Sequence, residues 1–183
     1  MVILISGATH TGKTALAQAL LEKHKTPTLS LDHLKMGLIR SGETDISVED
    51  DDALMPYIWK ITREIIKTAV ENAQSLIIEG VYIPFGWQKD FSDAYLADIK
   101  SVCLIMTRDY IEGNFEDIVK YASVAERRLD ETYLTKELLT ADNEKNLRLA
   151  REYGAPYILI DGRYDDEYIQ TQLENIIKFP DGV

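Results

Sequence analysis

The octapeptide Gly7-Ala8-Thr9-His10-Thr11-Gly12-Lys13-Thr14 constrains this chain more than any other feature. It fits the pattern Gly-x-x-x-x-Gly-Lys-Ser/Thr in full. The apolar run Met1-Val2-Ile3-Leu4-Ile5 precedes it. A helix-patterned stretch from Lys13 to about Lys23 follows, with Leu16, Ala17, Leu20 and Leu21 on one stripe. A strand, a glycine-bounded turn and a helix in that order aim backbone N–H groups at one point, the positive end of the helix, where anionic oxygens bind. Glycines let the backbone curl closely around phosphates. The expected nucleotide contacts are Gly7, Thr9, His10, Thr11, Gly12, Lys13, Thr14 and Ala15. Lys13 is expected to reach the β- and γ-phosphates, and the Thr14 hydroxyl to ligate Mg²⁺. ATP and Mg²⁺ are the expected cofactors.

The rest of the chain repeats this alternation. Short apolar runs at Val2–Ser6, Thr28–Leu31, Leu76–Glu79, Val102–Met106 and Tyr157–Ile160 read as strands. Several are continuously apolar, the pattern of strands buried on both faces of a parallel sheet. Helical patterns lie between them, at about Asp52–Ala73, Phe115–Leu129, Lys136–Tyr153 and Asp165–Lys178. Ser47 is expected to cap the first of these, and Pro56 to sit in its first turn or kink it. Its inward face is expected to carry Ile58, Ile61, Ile65, Ala69 and Val70. The pattern predicts a doubly wound α/β fold with right-handed crossovers, one domain spanning residues 1–183.

Composition narrows the partners. The net charge of −11 opposes general binding to nucleic acid or an anionic membrane. An anionic ligand then requires a locally basic pocket. With Cys103 as its single cysteine the chain cannot form an internal disulfide, and no stretch approaches a membrane span. A cytoplasmic protein is expected, and the sequence leaves its oligomeric state open. Cys103, between Val102 and Leu104 in a strand pattern, reads as a core residue. His24 and His33 show no metal-ligand spacing.

Two acids sit where a phosphate site needs them. Leu76-Ile77-Ile78-Glu79 is an apolar strand ending in a carboxylate, which makes Glu79 the expected partner of the metal or its waters. Asp32 follows strand two, at the sheet edge where open α/β folds bind ligands. An aspartate there accepts a proton from a substrate hydroxyl, organises metal-bound water, or caps the following segment.

The phosphate loop, Asp32 and Glu79 together make the chain resemble the P-loop small-molecule kinases, the group of nucleoside monophosphate kinases, shikimate kinases and zeta toxins. The resemblance implies a P-loop NTPase fold, a five-stranded parallel sheet of order 2-3-1-4-5 flanked by helices, with a helical lid at about residues 109–140. It implies that Arg127 or Arg128 in that lid closes on the phosphates, and that Arg163, after the last strand, contacts the base. The segment from Asp32 to Gly42 is similar to the start of an adenylate kinase substrate-binding segment. Lys35 and Arg40 within it, together with Tyr82 from the aromatic stretch Val81–Lys89, are the implied acceptor contacts. That stretch reads equally as a hydrophobic plug.

Departures from adenylate kinases weigh against an AMP acceptor. The loop reads Ala-Thr-His-Thr, and Lys35 replaces an arginine that would fork onto phosphate. The loop also looks like those of nucleoside-type kinases and of proteins labelled 2-phosphoglycerate kinase.

The expected function is transfer of the ATP γ-phosphoryl group to a small metabolite or nucleotide. The alternatives are a nucleotide-dependent switch or ATPase module, and a toxin-like sugar-nucleotide kinase. Thr135-Lys136-Glu137-Leu138 fails the guanine-recognition pattern at its last position, which disfavours a GTPase.

Overall fold

The computed structural model describes residues 1–125, 134–162 and 164–177. Five strands, β1 (Val2–Gly7), β2 (Thr28–Ser30), β3 (Leu76–Glu79), β4 (Ile99–Met106) and β5 (Tyr157–Ile160), form one sheet. Every pairing is parallel and the order is β2-β3-β1-β4-β5. This is the order that the resemblance implied. In the central strands the continuous apolar runs are buried on both faces: Val2, Leu4 and Ile5 are fully inaccessible, as are Ile77 and Ile78.

Seven α-helices accompany these strands among the described residues, six between them and one after the last: α1 (Lys13–His24), α2 (Leu31–Arg40), α3 (Asp51–Glu71), α4 (Asp93–Leu96), α5 (Arg108–Ala125), α6 (Lys136–Glu152) and α7 (Asp166–Ile176). Ile3 and Ile5 join Leu16, Leu20, Ile111 and Leu173 in a core on one face of the sheet. Val2 and Leu4 join Leu54, Ile58, Ile66 and Trp87 on the other. Each such fully buried aliphatic side chain contributes about 1.5–3 kcal/mol of transfer free energy. No described helix is long and apolar enough to cross a membrane.

Several boundaries differ from the sequence expectation for local reasons. Strand β2 stops at Ser30, because Leu31 already belongs to α2. Helix α3 is capped by Asp50, whose carboxylate accepts from the Ala53 N–H at 3.0 Å, and not by Ser47. Pro56 lies inside α3 without ending it. The donor it lacks would have served the carbonyl of Asp52, an exposed residue in the first turn. The buried face of α3 is Leu54, Ile58, Trp59, Thr62, Ile66 and Ala69, while Ile61, Ile65 and Val70 are half-buried. The Trp59 indole, donating to Asp90 at 2.8 Å, anchors that face. Helix α5 starts at Arg108, with Thr107 Oγ1 accepting from Tyr110 N–H at 3.2 Å. It kinks at Asn114, whose side-chain amide donates to the Tyr110 carbonyl at 2.8 Å.

Candidate active site

The five strand ends Gly7, Ser30, Glu79, Met106 and Ile160 share one edge of the parallel sheet. The predicted phosphate loop leaves β1 at that edge. Its backbone takes a shape that ordinary residues resist: Gly7 has φ 142°, His10 65° and Gly12 82°. A Cβ on Gly7 would fall 2.4 Å from the Leu104 carbonyl oxygen and 2.9 Å from Thr11 Oγ1. The loop is tied to itself at one carbonyl. Ala8 O accepts from Thr11 Oγ1 at 2.9 Å and from Lys13 Nζ at 2.7 Å. Lys13 is 6% exposed, a level at which an ammonium is retained only with strong acceptors around it. Thr9 Oγ1 and His10 Nδ1 are 2.9 Å apart. Gly12 is the N-cap of α1, and Thr14 and Ala15 follow in its first turn, both half-buried.

Glu79 occupies the place expected of it. In register it stands between Ser30 of β2 and Ile5 of β1, two residues before the loop begins. It is 2% exposed. The turn after it needs Gly80, with φ 154°, because a Cβ there would meet Leu31 Cβ at 2.7 Å. Asp32 is in the first turn of α2, half-buried, and its carboxylate has no hydrogen bond or ion pair among the described residues. It does not cap the helix; Ser30 holds the N-cap position.

Lys35 and Tyr82 are brought together, as neither strand order nor spacing required. Lys35 Nζ lies 2.6 Å from the Tyr82 hydroxyl, which donates to Asp51 Oδ1 at 2.5 Å. Lys35 and Asp51 are themselves 3.3 Å apart. Arg40 is not part of this group; it is exposed at the far end of α2. Arg127, Arg128 and Arg163 lie outside the described residues.

The aromatic stretch after β3 is mostly core. Tyr82, Ile83, Trp87 and Phe91 are all buried, and Trp87 and Trp59 each meet Phe91 edge-on. Tyr82 links this stretch to the Lys35–Asp51 pair through its hydroxyl. The cavity beside Phe85, Trp87 and Cys103 measures about 10 Å³, room for about one water and not for a metabolite.

Three residues escaped the sequence reading. Asp51 stands in the acidic run Glu49-Asp50-Asp51-Asp52, whose pattern suits a solvated helix start. Tyr164 has its hydroxyl against Gly12, where a Cβ would fall 2.1 Å away. Asp142 of α6 is half-buried; burial pushes its carboxyl above the usual range, Lys145 opposes this, and the charge of Asp51 adds to it. No local signal marks any of them, since each acquires its place through tertiary packing. Thr135, from the failed guanine pattern, caps α6 by accepting from Leu138 N–H at 3.1 Å.

No family model and no curated relative matches the chain. Solved structures do. A sugar kinase from Janibacter sp. superposes with a TM-score of 0.58 and 14% identity, over 96% of this chain and 92% of that one. A shikimate kinase from Bacteroides thetaiotaomicron gives 0.54 and 17%, over 98% and 99%. A gluconokinase from Sinorhizobium meliloti gives 0.51 and 11%, over 93% and 87%. The chain therefore has the fold of the P-loop small-molecule kinases over at least 93% of its length.

Proposed function

We propose that this chain is an ATP- and Mg²⁺-dependent phosphotransferase that moves the γ-phosphoryl group to a hydroxyl of a small metabolite or nucleotide. The observation that carries the reading is the buried Lys13 ammonium folded onto Ala8 O, inside a loop whose φ angles at Gly7, His10 and Gly12 keep the backbone wrapped. The kinase descriptions of the solved neighbours support it.

The residues present fit MgATP. Side chains at Gly7 and Gly12 would strike Leu104, Thr11 and Tyr164 and spread the loop, and Lys13, Thr14 and Glu79 supply the cation and the oxygen donors that a triphosphate and its metal require. When bound, MgATP supplies the transferable phosphoryl group and the metal charge that offsets its oxygens. The chain's own part is positioning and electrostatics. Lys13, which donates to the Ala8 carbonyl, would hold the phosphate oxygens. The loop N–H groups hold the phosphates against the N-terminus of α1. Asp32 has an uncommitted carboxylate and takes the proton of the acceptor hydroxyl. In the lid expected at about residues 109–140, whose flanks Ile111 and Leu139 are anchored in the sheet core, Arg127 or Arg128 would serve the transferring group, and Arg163 would serve the base. The lone buried thiol, Cys103, fits a reducing cytoplasm.

The test is ADP release from MgATP across nucleosides, nucleoside monophosphates, phosphoglycerates, hydroxy acids, sugars and sugar nucleotides. Stimulation of at least about tenfold by one class is expected, the scale of positioned chemistry against slow background hydrolysis. Slow hydrolysis that no acceptor stimulates overturns the reading in favour of a switch.

A further inference from the structure

We propose that the acceptor is an uncharged polyhydroxy compound, and that Asp51 enforces this choice by neutralising Lys35. The inference rests on the phosphotransferase reading and specifies its acceptor side.

An anionic acceptor needs a cation free to bind it, best as a charge-assisted hydrogen bond. Lys35 is the described cation best placed for this. It follows Asp32 by three residues on α2, so both side chains are on one face. Yet its ammonium is already held. Its side chain is 13% exposed, with the Tyr82 hydroxyl and Asp51 Oδ1 as partners. The Tyr82 ring is 1% exposed and cannot swing aside without opening the core. The same Oδ1 accepts from Tyr82, so one carboxylate oxygen fastens both groups.

The remaining cations on α2 and α3 are engaged or distant. Arg63 pairs with Glu64 and Asp90, and Lys67 with Glu64. Arg40 is at the outer end of α2. Lys60 is nine residues beyond Asp51, about 13 Å along the helix. Carboxylates dominate what is left. Asp32 is uncommitted, and the Asp51 side chain is 61% exposed. Carboxylates accept hydrogen bonds from hydroxyls, and they repel a carboxylate or a phosphate brought among them. With the Asp51 charge offset by Lys35, Asp32 adds a negative charge that no described cation on α2 or α3 balances, and the group suits a molecule that offers several hydroxyl groups and no negative charge.

The test has two arms, and the first needs no activity. Lysine acylation of the intact protein, read by mass spectrometry, should label Lys35 at least fivefold more slowly than exposed Lys60. Asp51→Asn should bring the two rates within about twofold. Equal rates in the wild-type protein would overturn the proposal, as would an Asp51→Asn variant that leaves Lys35 protected.

The second arm measures calorimetric binding and MgATP-dependent ADP release with matched pairs: glucose against gluconate, inositol against inositol monophosphate, and glycerol against glycerate. The wild type should favour a neutral member at least tenfold over its anion, and Asp51→Asn should shrink that ratio at least fivefold. Preference for the anions, an unchanged ratio, or no binding by any neutral member overturns the proposal. Turnover of an anionic acceptor alone would defeat this inference and leave the phosphotransferase reading standing. Neutral binding without any ADP release would do the reverse.

Discussion

Tyr164, from the far end of the chain, sets its hydroxyl where a side chain on Gly12 would have to go: the Cβ would lie 2.1 Å away. Gly12 also holds φ at 82°. Gly12→Ala therefore carries two separable costs, a left-handed backbone of about 1–2 kcal/mol and a displaced tyrosine. Tyr164→Ala should relieve the second and leave the first. Urea unfolding of the two single variants and the double variant is expected to show non-additivity above about 0.5 kcal/mol. Additive losses would mean that the contact carries no energy.

Lys13→Ala should separate chemistry from folding. The Ala8 carbonyl keeps its Thr11 hydroxyl donor at 2.9 Å, so that buried acceptor is not left unsatisfied. Loss of stability should stay near 1 kcal/mol. Turnover with MgATP should fall by about 10² or more, the scale of losing one preorganised donor to developing charge. Near-normal turnover with a normal urea midpoint would remove Lys13 from the site.

Asp32→Asn keeps the shape of the side chain and removes its ability to take a proton. With no hydrogen bond to lose among the described residues, the fold should be unaffected. Turnover should drop below about 1% of wild type, within the range for general-base loss, while MgATP affinity changes less than about twofold. Ordinary turnover in this variant would assign proton transfer elsewhere.

Helix capping can be checked at two neighbouring positions. Asp50→Ala removes the 3.0 Å bond to Ala53 N–H and should cost about 1 kcal/mol. Ser47→Ala loses only a 3.4 Å contact with Glu49 N–H and should stay within about 0.5 kcal/mol. Reversed magnitudes would restore Ser47 as the cap.

What sequence periodicity could reveal was whatever burial imposes locally. Strands such as Leu76–Glu79 and Tyr157–Ile160 were legible to the residue because continuous apolar runs have few other uses. The phosphate loop was legible because close backbone approach admits glycine at Gly7 and little else. The face of α3 was legible in part: Ile58 and Ala69 are buried as expected, but Trp59, also buried, is tied to Asp90 beyond β3, a contact that no spacing encodes. The same holds for the site. Lys35 and Tyr82 were separately marked, but their junction depends on Asp51, which its sequence neighbours disguise as one more helix-start acid.

The pH dependence of stability should carry the signature of Cys103. Burial pushes its thiol up from 9.0 to about 11, against opposing effects from the Ser6 hydrogen bond and the Lys13 charge. The folded state therefore keeps its proton where the unfolded chain has already lost one. Between pH 9 and 11 the unfolded state binds fewer protons, so stability falls as pH rises. The loss approaches about 1.4 kcal/mol per pH unit, or roughly 2–3 kcal/mol over the interval. Other groups titrate there too, so the readout is a difference. Cys103→Ala should be less stable than wild type at pH 8, through its small cavity, and should lose less stability than wild type between pH 8 and 10.5. Parallel curves for the two proteins would show that the thiol ionises at its ordinary value, and that the space around Cys103 is wetter than its 2% exposure implies.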